Sequence, residues 1–356
     1  MRIAQVAPLY ESVPPRLYGG SERVVSYLTE ELVRAGHDVT LYASGDSRTA
    51  ARLRPACTRA LRLGRGEIAD PLAHHVLLAE LVGQEAAEFD IVHFHIDYLP
   101  FSVIRQRKLP AITTLHGRLD IPDFHPLYRE FDDMRLISIS DAQRLPMLWA
   151  NWQATVHHGI PETLYQVRLD SGQYLAFIGR ISPEKRVDLA IEIARQSGMQ
   201  IRIAAKIDSA DRSYWESIRH LFRQPHVEFV GEIGEEEKGE FLSNAAALLF
   251  PVDWPEPFGL VMIEALACGT PVIAFRRGSV PEVIEDGLTG YIVETAEEAV
   301  DATKRIPLIK REICRAEFER RFSARRMCHD YLRVYRHVLA ETRVPAPGTE
   351  DLTLAA

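Results

Sequence analysis

A chain of 356 residues with 46% hydrophobic and 26% charged side chains has the make-up of an ordinary globular protein, and it exceeds what one hydrophobic core usually serves, so two domains are expected. A net charge of −8 gives no reason to expect nucleic acid as a partner. The four cysteines, Cys57, Cys268, Cys314 and Cys328, form no C-x-x-C pair and no zinc-like spacing, a usage that suits reduced thiols in a cytosolic protein.

The chain opens on "MRIAQVAPLY", too short and too interrupted by polar residues for a secretory signal. No stretch approaches about 18 consecutive apolar residues, so no membrane span is expected. Short apolar, β-rich runs then alternate with longer helical patterns. In the first half the runs are "RIAQVAP", "DVTLYA", "DIVHFH", "AITTLH", "RLISIS" and "ATVHHG". In the second half they are "YLAFIG", "IRIAAK", "VEFVG", "ALLFPV", "PVIAF" and "GYIV". Helical patterns fall between them, for example over 22–35, 188–196, 235–244 and 260–267. Near-continuous apolar runs suit strands buried on both faces, and strand–helix alternation predicts parallel sheets built from βαβ units.

The rhythm restarts after "IPETLYQVRLDSGQ", which reads as a linker near 161–173. The expected architecture is α/β: two doubly wound, Rossmann-like domains, 1–165 and 166–322, facing a central cleft. A last helix over 323–342 packs back across the boundary, and a small, Pro-containing tail over 343–356 is expected to be disordered. Doubly wound sheets bind ligands beyond the carboxyl ends of their strands, so the strand ends are where chemistry is sought.

Three strand-end segments stand out. In "PPRLYGGSERVV", Gly19 and Gly20 sit between the first strand and its helix, where glycine lets backbone approach a ligand and a helix N-terminus favours anions. The segment does not match G-x-G-x-x-G, which weighs against a nicotinamide-dependent oxidoreductase. In "FIGRISPEKRVDLAI", Arg180 and Lys185 follow a strand, a planar fork and a mobile point charge suited to a diphosphate. In "EPFGLVMIEALACG", Glu256 precedes a proline and so favours a loop, whereas Glu264 lies in the helix that follows. Eight residues of helix rise roughly 12 Å, too far for a catalytic carboxylate pair of the glycosidase kind, about 5–5.5 Å apart. The two acids suit opposite ends of one extended ligand; the blander alternative makes Glu256 a helix-end acid and Glu264 a solvated position. His116, at the end of "AITTLH", is placed to hydrogen-bond a substrate or act as a base. His93 and His95 share a strand face, but no third ligand is evident, and the chain has no D-x-D, so no metal site is expected.

Together these residues make the chain resemble the retaining glycosyltransferases of family 4, which have the GT-B fold. The resemblance is strongest over 174–293, through "GRISPEKR" and "EPFGLVMIEALACGTPVIA" into "GSVPEVIEDGLTGYIV". The first half is similar more loosely, through "YGGSERVVSYLTEELVRAGHDVTLYA" and "LHG". The resemblance implies transfer of a hexose from a nucleotide-diphosphate sugar, UDP-glucose-like or GDP-mannose-like, to an acceptor hydroxyl by a metal-independent front-face route with no cofactor. It implies that Glu256 contacts the transferred sugar, Glu264 the ribose, and the backbone around Phe258, Gly259 and Leu260 the sugar and phosphates. Arg180 and Lys185 would hold the diphosphate, His116 the donor sugar, and Gly19 and Gly20 would line the phosphate side. "GEIGEEEK" is the expected base-reading loop, and the acceptor is a carbohydrate, a glycolipid or a small molecule. Where many relatives carry Asn-Gly, this chain has His157-His158-Gly159, a departure that leaves the hinge side open.

A nucleotide-sugar 2-epimerase on the same fold and a non-catalytic nucleotide-sugar binding protein are the competing readings. A cytoplasmic location is expected, with peripheral association at the inner face of a membrane as the minority alternative. That alternative rests on a basic C-terminal run: Lys304, Arg305, Lys310, Arg311, Arg315, Arg320, Arg321, Arg325 and Arg326.

Overall fold

Two all-parallel sheets account for the strands of the computed structural model, which describes residues 1–17, 19–63, 69–170 and 172–343. The first contains β1 (Arg2–Val6), β2 (Asp38–Ser44), β3 (Arg52–Cys57), β4 (Ile91–Phe94), β5 (Ala111–Thr114), β6 (Leu136–Ser138) and β7 (Trp152–Thr155), in the order β3-β2-β1-β4-β5-β6-β7. The second contains β8 (Tyr174–Arg180), β9 (Ile201–Lys206), β10 (Val227–Gly231), β11 (Ala245–Phe250), β12 (Val272–Phe275) and β13 (Gly290–Val293), in the order β10-β9-β8-β11-β12-β13. The expected doubly wound, two-sheet architecture is present. In each sheet the strand order reverses once, between β1 and β4 and between β8 and β11, and such a switch point is where an open α/β sheet receives its ligand.

Every strand expected from the sequence is present, with two differences. "ATVHHG" was expected to form a strand, but the strand is Trp152–Thr155, so His157 and His158 lie beyond its end, toward the second sheet. β3 was not expected: its "RLRPAC" pattern is charged and carries Pro55, which is tolerated because this is an edge strand paired on one side only. The first helix runs Gly20–Arg34, so Gly20 is its opening residue and Gly19 its N-cap.

The last helix, Ala324–Arg343, returns to the first sheet. Its Met327, Tyr331, Tyr335 and Val338 are spaced for one helical face and pack with Ile3, Leu28, Val39 and Ile91. A chain end that buries several large side chains, each contributing roughly 1.5–3 kcal/mol, is part of the first domain's core. The tail beyond Arg343 lies outside the described residues. Among the described residues no helix is long and apolar enough to cross a membrane.

Candidate functional site

The site is built from the carboxyl ends of β1, β4, β5, β8 and β11. Beyond β11, the chain loops through Glu256 and enters the helix Leu260–Ala267 at Gly259. Gly259 holds φ +78°, and a Cβ there would lie 2.8 Å from Met262 Cε and 2.9 Å from Phe250 Cζ, so both conformation and space require glycine. The loop is pinned from both domains. Ser279 Oγ donates to the Phe258 carbonyl (2.8 Å) and Ser279 N–H to the Glu256 carbonyl (3.0 Å), while Ser140 Oγ, from the first domain, donates to the Pro257 carbonyl (2.6 Å). The opening turn of this helix, whose first amides have no intrahelical partner, borders the cleft at Gly259, Leu260 and Val261.

Neither glutamate is a solvated position: Glu256 is 8% exposed and Glu264 4%. Each is paired with a lysine. Lys185 Nζ forms an ion pair with Glu256 Oε2, which also accepts from Trp254 Nε1–H at 2.8 Å. Lys238 Nζ donates to Glu264 Oε1 at 2.8 Å. Both acids thus have one oxygen engaged in ion pairing, which is what allows carboxylates to be buried here. Arg180, at the last position of β8, pairs with Glu184 (2.5 Å) and Asp211 (3.0 Å). Lys238, in the "GEIGEEEK" stretch, was not singled out in the sequence; one lysine after three glutamates reads there as surface charge.

Across the cleft, His116 follows β5. Burial depresses its pKa to about 4, so the ring is neutral at neutral pH. Its Nε2 lies 2.9 Å from His95 Nδ1, and its ring stacks on His158 with centroids 5.3 Å apart. His158 in turn meets Phe258 edge-on at 4.9 Å, so the residue that departs from the Asn-Gly pattern joins His116 to the loop of Glu256. Burial also holds His93, His95 and His158 well below the ordinary imidazole range. His93 and His95 do share a face, with rings 4.0 Å apart, and are held by hydrogen bonds; among the described residues there is no group of three metal-ligating side chains.

A residue depressed in this way binds its proton in the unfolded chain before it does so in the folded one, so its stabilising contribution, full above about pH 6.5, is lost as pH falls toward 4. Asp97 runs the other way. His116→Asn is therefore expected to lose about 2 kcal/mol less than the unmodified chain between pH 7 and pH 5, measured by urea unfolding at each pH. Equal losses in the two proteins would refute a buried neutral His116.

Asp97 is the other residue not found from the sequence. It sits just past β4 with φ +50°, an uncommon conformation for a residue other than glycine, and borders the cleft. Burial raises its carboxyl to about 6, and the His116 backbone N–H bonds it in partial opposition. Its position after a strand at a switch point was the available signal.

Gly19, at φ +155°, passes so close to Pro15 that a Cβ would lie 2.7 Å from Pro15 Cβ. A Cβ on Gly20 would lie 3.5 Å from Leu260 Cδ1, so the two helix N-termini face each other across the cleft. A buried ion pair, Arg23 with Glu235, ties the first helix to the second domain nearby. The open cleft offers about 670 Å³, and Gly19, His116, Arg180, Lys185, Glu256 and Glu264 all border it. All the residues singled out at strand ends thus meet in one cleft.

The basic C-terminal run, whose blander reading is a solvated helix face, is exposed in part and turned inward in part. Arg311 is buried and donates to the carbonyls of Arg168, Ala245 and Ser243, and to Thr270 Oγ1, at 2.7–2.8 Å. Arg315 reaches the Ala267 and Glu162 carbonyls, and Arg326 the His157 and His158 carbonyls. These arginines satisfy loop and helix-end carbonyls, and the exposed Lys304 and Arg320 pair with Asp301 and Glu317.

Two parallel, Rossmann-like domains meeting at strand-end clefts define the GT-B class of glycosyltransferase architecture. The chain belongs to the glycosyltransferases of family 4: the profile described as Glycosyltransferase Family 4 matches residues 18–161, and that of Glycosyl transferases group 1 matches 166–323. It is 26% identical over 334 residues to the N-acetyl-alpha-D-glucosaminyl L-malate synthase of Bacillus anthracis, covering 83% of this chain and 85% of that one. Among solved structures it is similar to AviGT4, a glycosyltransferase involved in avilamycin A biosynthesis (TM-score 0.69, 23% identity, 96% and 98% of the two chains). It is also similar to Anabaena HepE in complex with UDP and glucose (TM-score 0.74, 17% identity, 95% and 100%). The enzyme is a glycosyltransferase.

Proposed function

We propose that the cleft binds a nucleotide-diphosphate hexose and transfers the hexose, with its anomeric configuration retained, to the hydroxyl of a carbohydrate, glycolipid or small-molecule acceptor. The observation that carries this is the arrangement of two buried acids, Glu256 and Glu264, on either side of a helix N-terminus, with Arg180 and Lys185 beside them. In this reading Glu264 binds the ribose hydroxyls through its second oxygen, and Glu256 binds a sugar hydroxyl through Oε1. The helix amides at Gly259 and Leu260, with Arg180 and Lys185, take the diphosphate, and Gly19 and Gly20 admit it closely. The donor needs no metal ion, since the cations neutralise the departing phosphate charge.

The chemistry is a front-face substitution. The bond from the anomeric carbon to the diphosphate oxygen breaks, and the acceptor oxygen bonds to that carbon on the same face. The acceptor proton passes to the departing phosphate oxygen. The protein supplies position and charge stabilisation. His116, neutral, hydrogen-bonds the donor sugar, and Asp97 lies where it can receive a hydrogen bond from the acceptor. UDP is the first nucleotide to test, because the similar HepE binds UDP with glucose; GDP-mannose is the other donor.

Calorimetry in metal-free buffer with UDP, GDP, ADP, their hexose conjugates and NAD tests the reading. One nucleoside diphosphate is expected to be preferred. Glu264→Ala is expected to weaken it about 10- to 100-fold, the worth of a charge-assisted hydrogen bond of roughly 1.5–3 kcal/mol. Selective NAD binding, or no nucleotide binding at all, would overturn the assignment. A 2-epimerase would change the donor sugar with no acceptor present, which product analysis distinguishes.

A further inference from the structure

A row of enclosed polar groups leads from the cleft into the last helix. His116 Nε2 lies 2.9 Å from His95 Nδ1, and His95 Nε2 lies 2.9 Å from Gln5 Oε1. Gln5 Nε2 donates to the Tyr335 hydroxyl at 2.9 Å, and that hydroxyl lies 2.8 Å from His93 Nδ1. His93 Nε2 continues to Thr114 Oγ1 at 2.7 Å, and Thr114 to the Tyr331 hydroxyl at 3.0 Å. Gln5, His93, Thr114, Tyr331 and Tyr335 are all fully buried. The donor-side histidine is therefore linked through the first sheet to the returning helix.

Such a row has a direction. Each buried imidazole is neutral and carries one N–H, so each ring nitrogen either donates or accepts. The amide of Gln5 sets the sense. Its NH₂ donates to the Tyr335 oxygen and lies 3.5 Å from His93 Nδ1, and its carbonyl faces His95. A carbonyl only accepts, which puts the His95 proton on Nε2 and leaves Nδ1 a lone pair. That lone pair accepts from His116 Nε2–H, and His116 Nδ1 is left bare. An independent observation agrees: His116 Nδ1 is enclosed and has no partner within the protein. The opposite sense would put an unpaired N–H there, and orphaned buried N–H groups are rarer than under-satisfied acceptors.

We propose that Gln5, His95 and Tyr335 are positioning residues that hold His116 in its Nε2–H tautomer, which fixes the orientation of its ring at the cleft wall where the donor sugar is expected. The assignment of the tautomer stands on the hydrogen-bond row alone; the sugar contact rests on the transferase reading above. The last helix then contributes to the site without touching the ligand.

Long-range ¹H–¹⁵N correlation spectra of the full chain, labelled with ¹⁵N-histidine and assigned with His95→Asn and His116→Asn, test this. At pH 7 both His95 and His116 are expected to show Nε2 in the protonated region and Nδ1 in the lone-pair region. Gln5→Met removes the acceptor for His95, and Tyr335→Phe removes the acceptor for the Gln5 amide. Each is expected to move the His116 nitrogens toward a mixture of tautomers, a change that loss of packing alone would not produce. A His116 proton found on Nδ1, or His116 resonances unmoved in Tyr335→Phe, would overturn the proposal. Tyr335→Phe keeps the ring and serves if Gln5→Met does not fold. Adding UDP-glucose and GDP-mannose is a separate arm. A shift of the His116 ring resonances on donor binding supports the sugar contact; binding without a shift overturns it. No binding overturns the transferase reading and leaves the tautomer result standing.

Discussion

Lys185→Ala is expected to lower turnover about 10²–10³-fold, the range seen when one preorganised electrostatic donor is removed from a reacting charge. It is also expected to destabilise the fold. Lys185 pairs with Glu256, whose side chain is 10% exposed, and its ammonium lies 5.2 Å from the centre of the Trp254 ring. Taking away one member of a buried pair leaves the other charged and unpaired, a loss of roughly 3–5 kcal/mol. The two effects separate in a cycle. Adding Glu256→Gln to Lys185→Ala removes the stranded charge, so stability returns toward the original, while turnover is expected to stay below that of Glu256→Gln alone, which measures the cost of the glutamate's own sugar contact. Recovery of turnover together with stability would mean that Lys185 serves only the ion pair. Arg180→Ala, which leaves Glu184 and Asp211 more exposed to water than Glu256, is expected to lose turnover at a smaller cost in stability.

Gly259→Val is expected to abolish donor binding by calorimetry and to lower stability by about 3 kcal/mol. Left-handed backbone costs a non-glycine residue roughly 1–2 kcal/mol, and overpacking a filled site typically costs about 1–3 kcal/mol. The new side chain meets Met262 and Phe250, both buried, so neither can swing into water. Relief of either contact rotates the first turn of the helix Leu260–Ala267, whose amides are proposed to hold the diphosphate. Normal donor affinity in this variant would remove the helix N-terminus from the binding site.

The strands were legible because they are buried on both faces. Runs such as "ALLFPV" and "RIAQVAP" are too short for a helix and alternate with longer helical patterns, and the restart of the rhythm near residue 174 marks the second sheet. β3 was not legible because an edge strand answers to solvent on one side, and Arg52, Arg54 and Pro55 obey that side. The positions of Arg180, Lys185, Glu256 and Glu264 followed from spacing along single strand–helix units. Their partners did not, because ion pairing of Glu264 with Lys238 joins residues 26 apart in different units. The histidine row was out of reach for the same reason. "HFH" placed two rings on one face, but Gln5, Thr114 and Tyr335 come to them from three other elements.

The return of the last helix to the first sheet has a consequence for the order of events during synthesis. Gln5 and Tyr335 are 330 positions apart, and the core around Ile3, Leu28 and Ile91 is closed by side chains from Met327 to Val338. The second domain, whose core runs on to Phe322, has all its residues made before this helix, which begins at Ala324. The first-made half therefore finishes last, keeping an apolar face uncovered until the whole second half has been built.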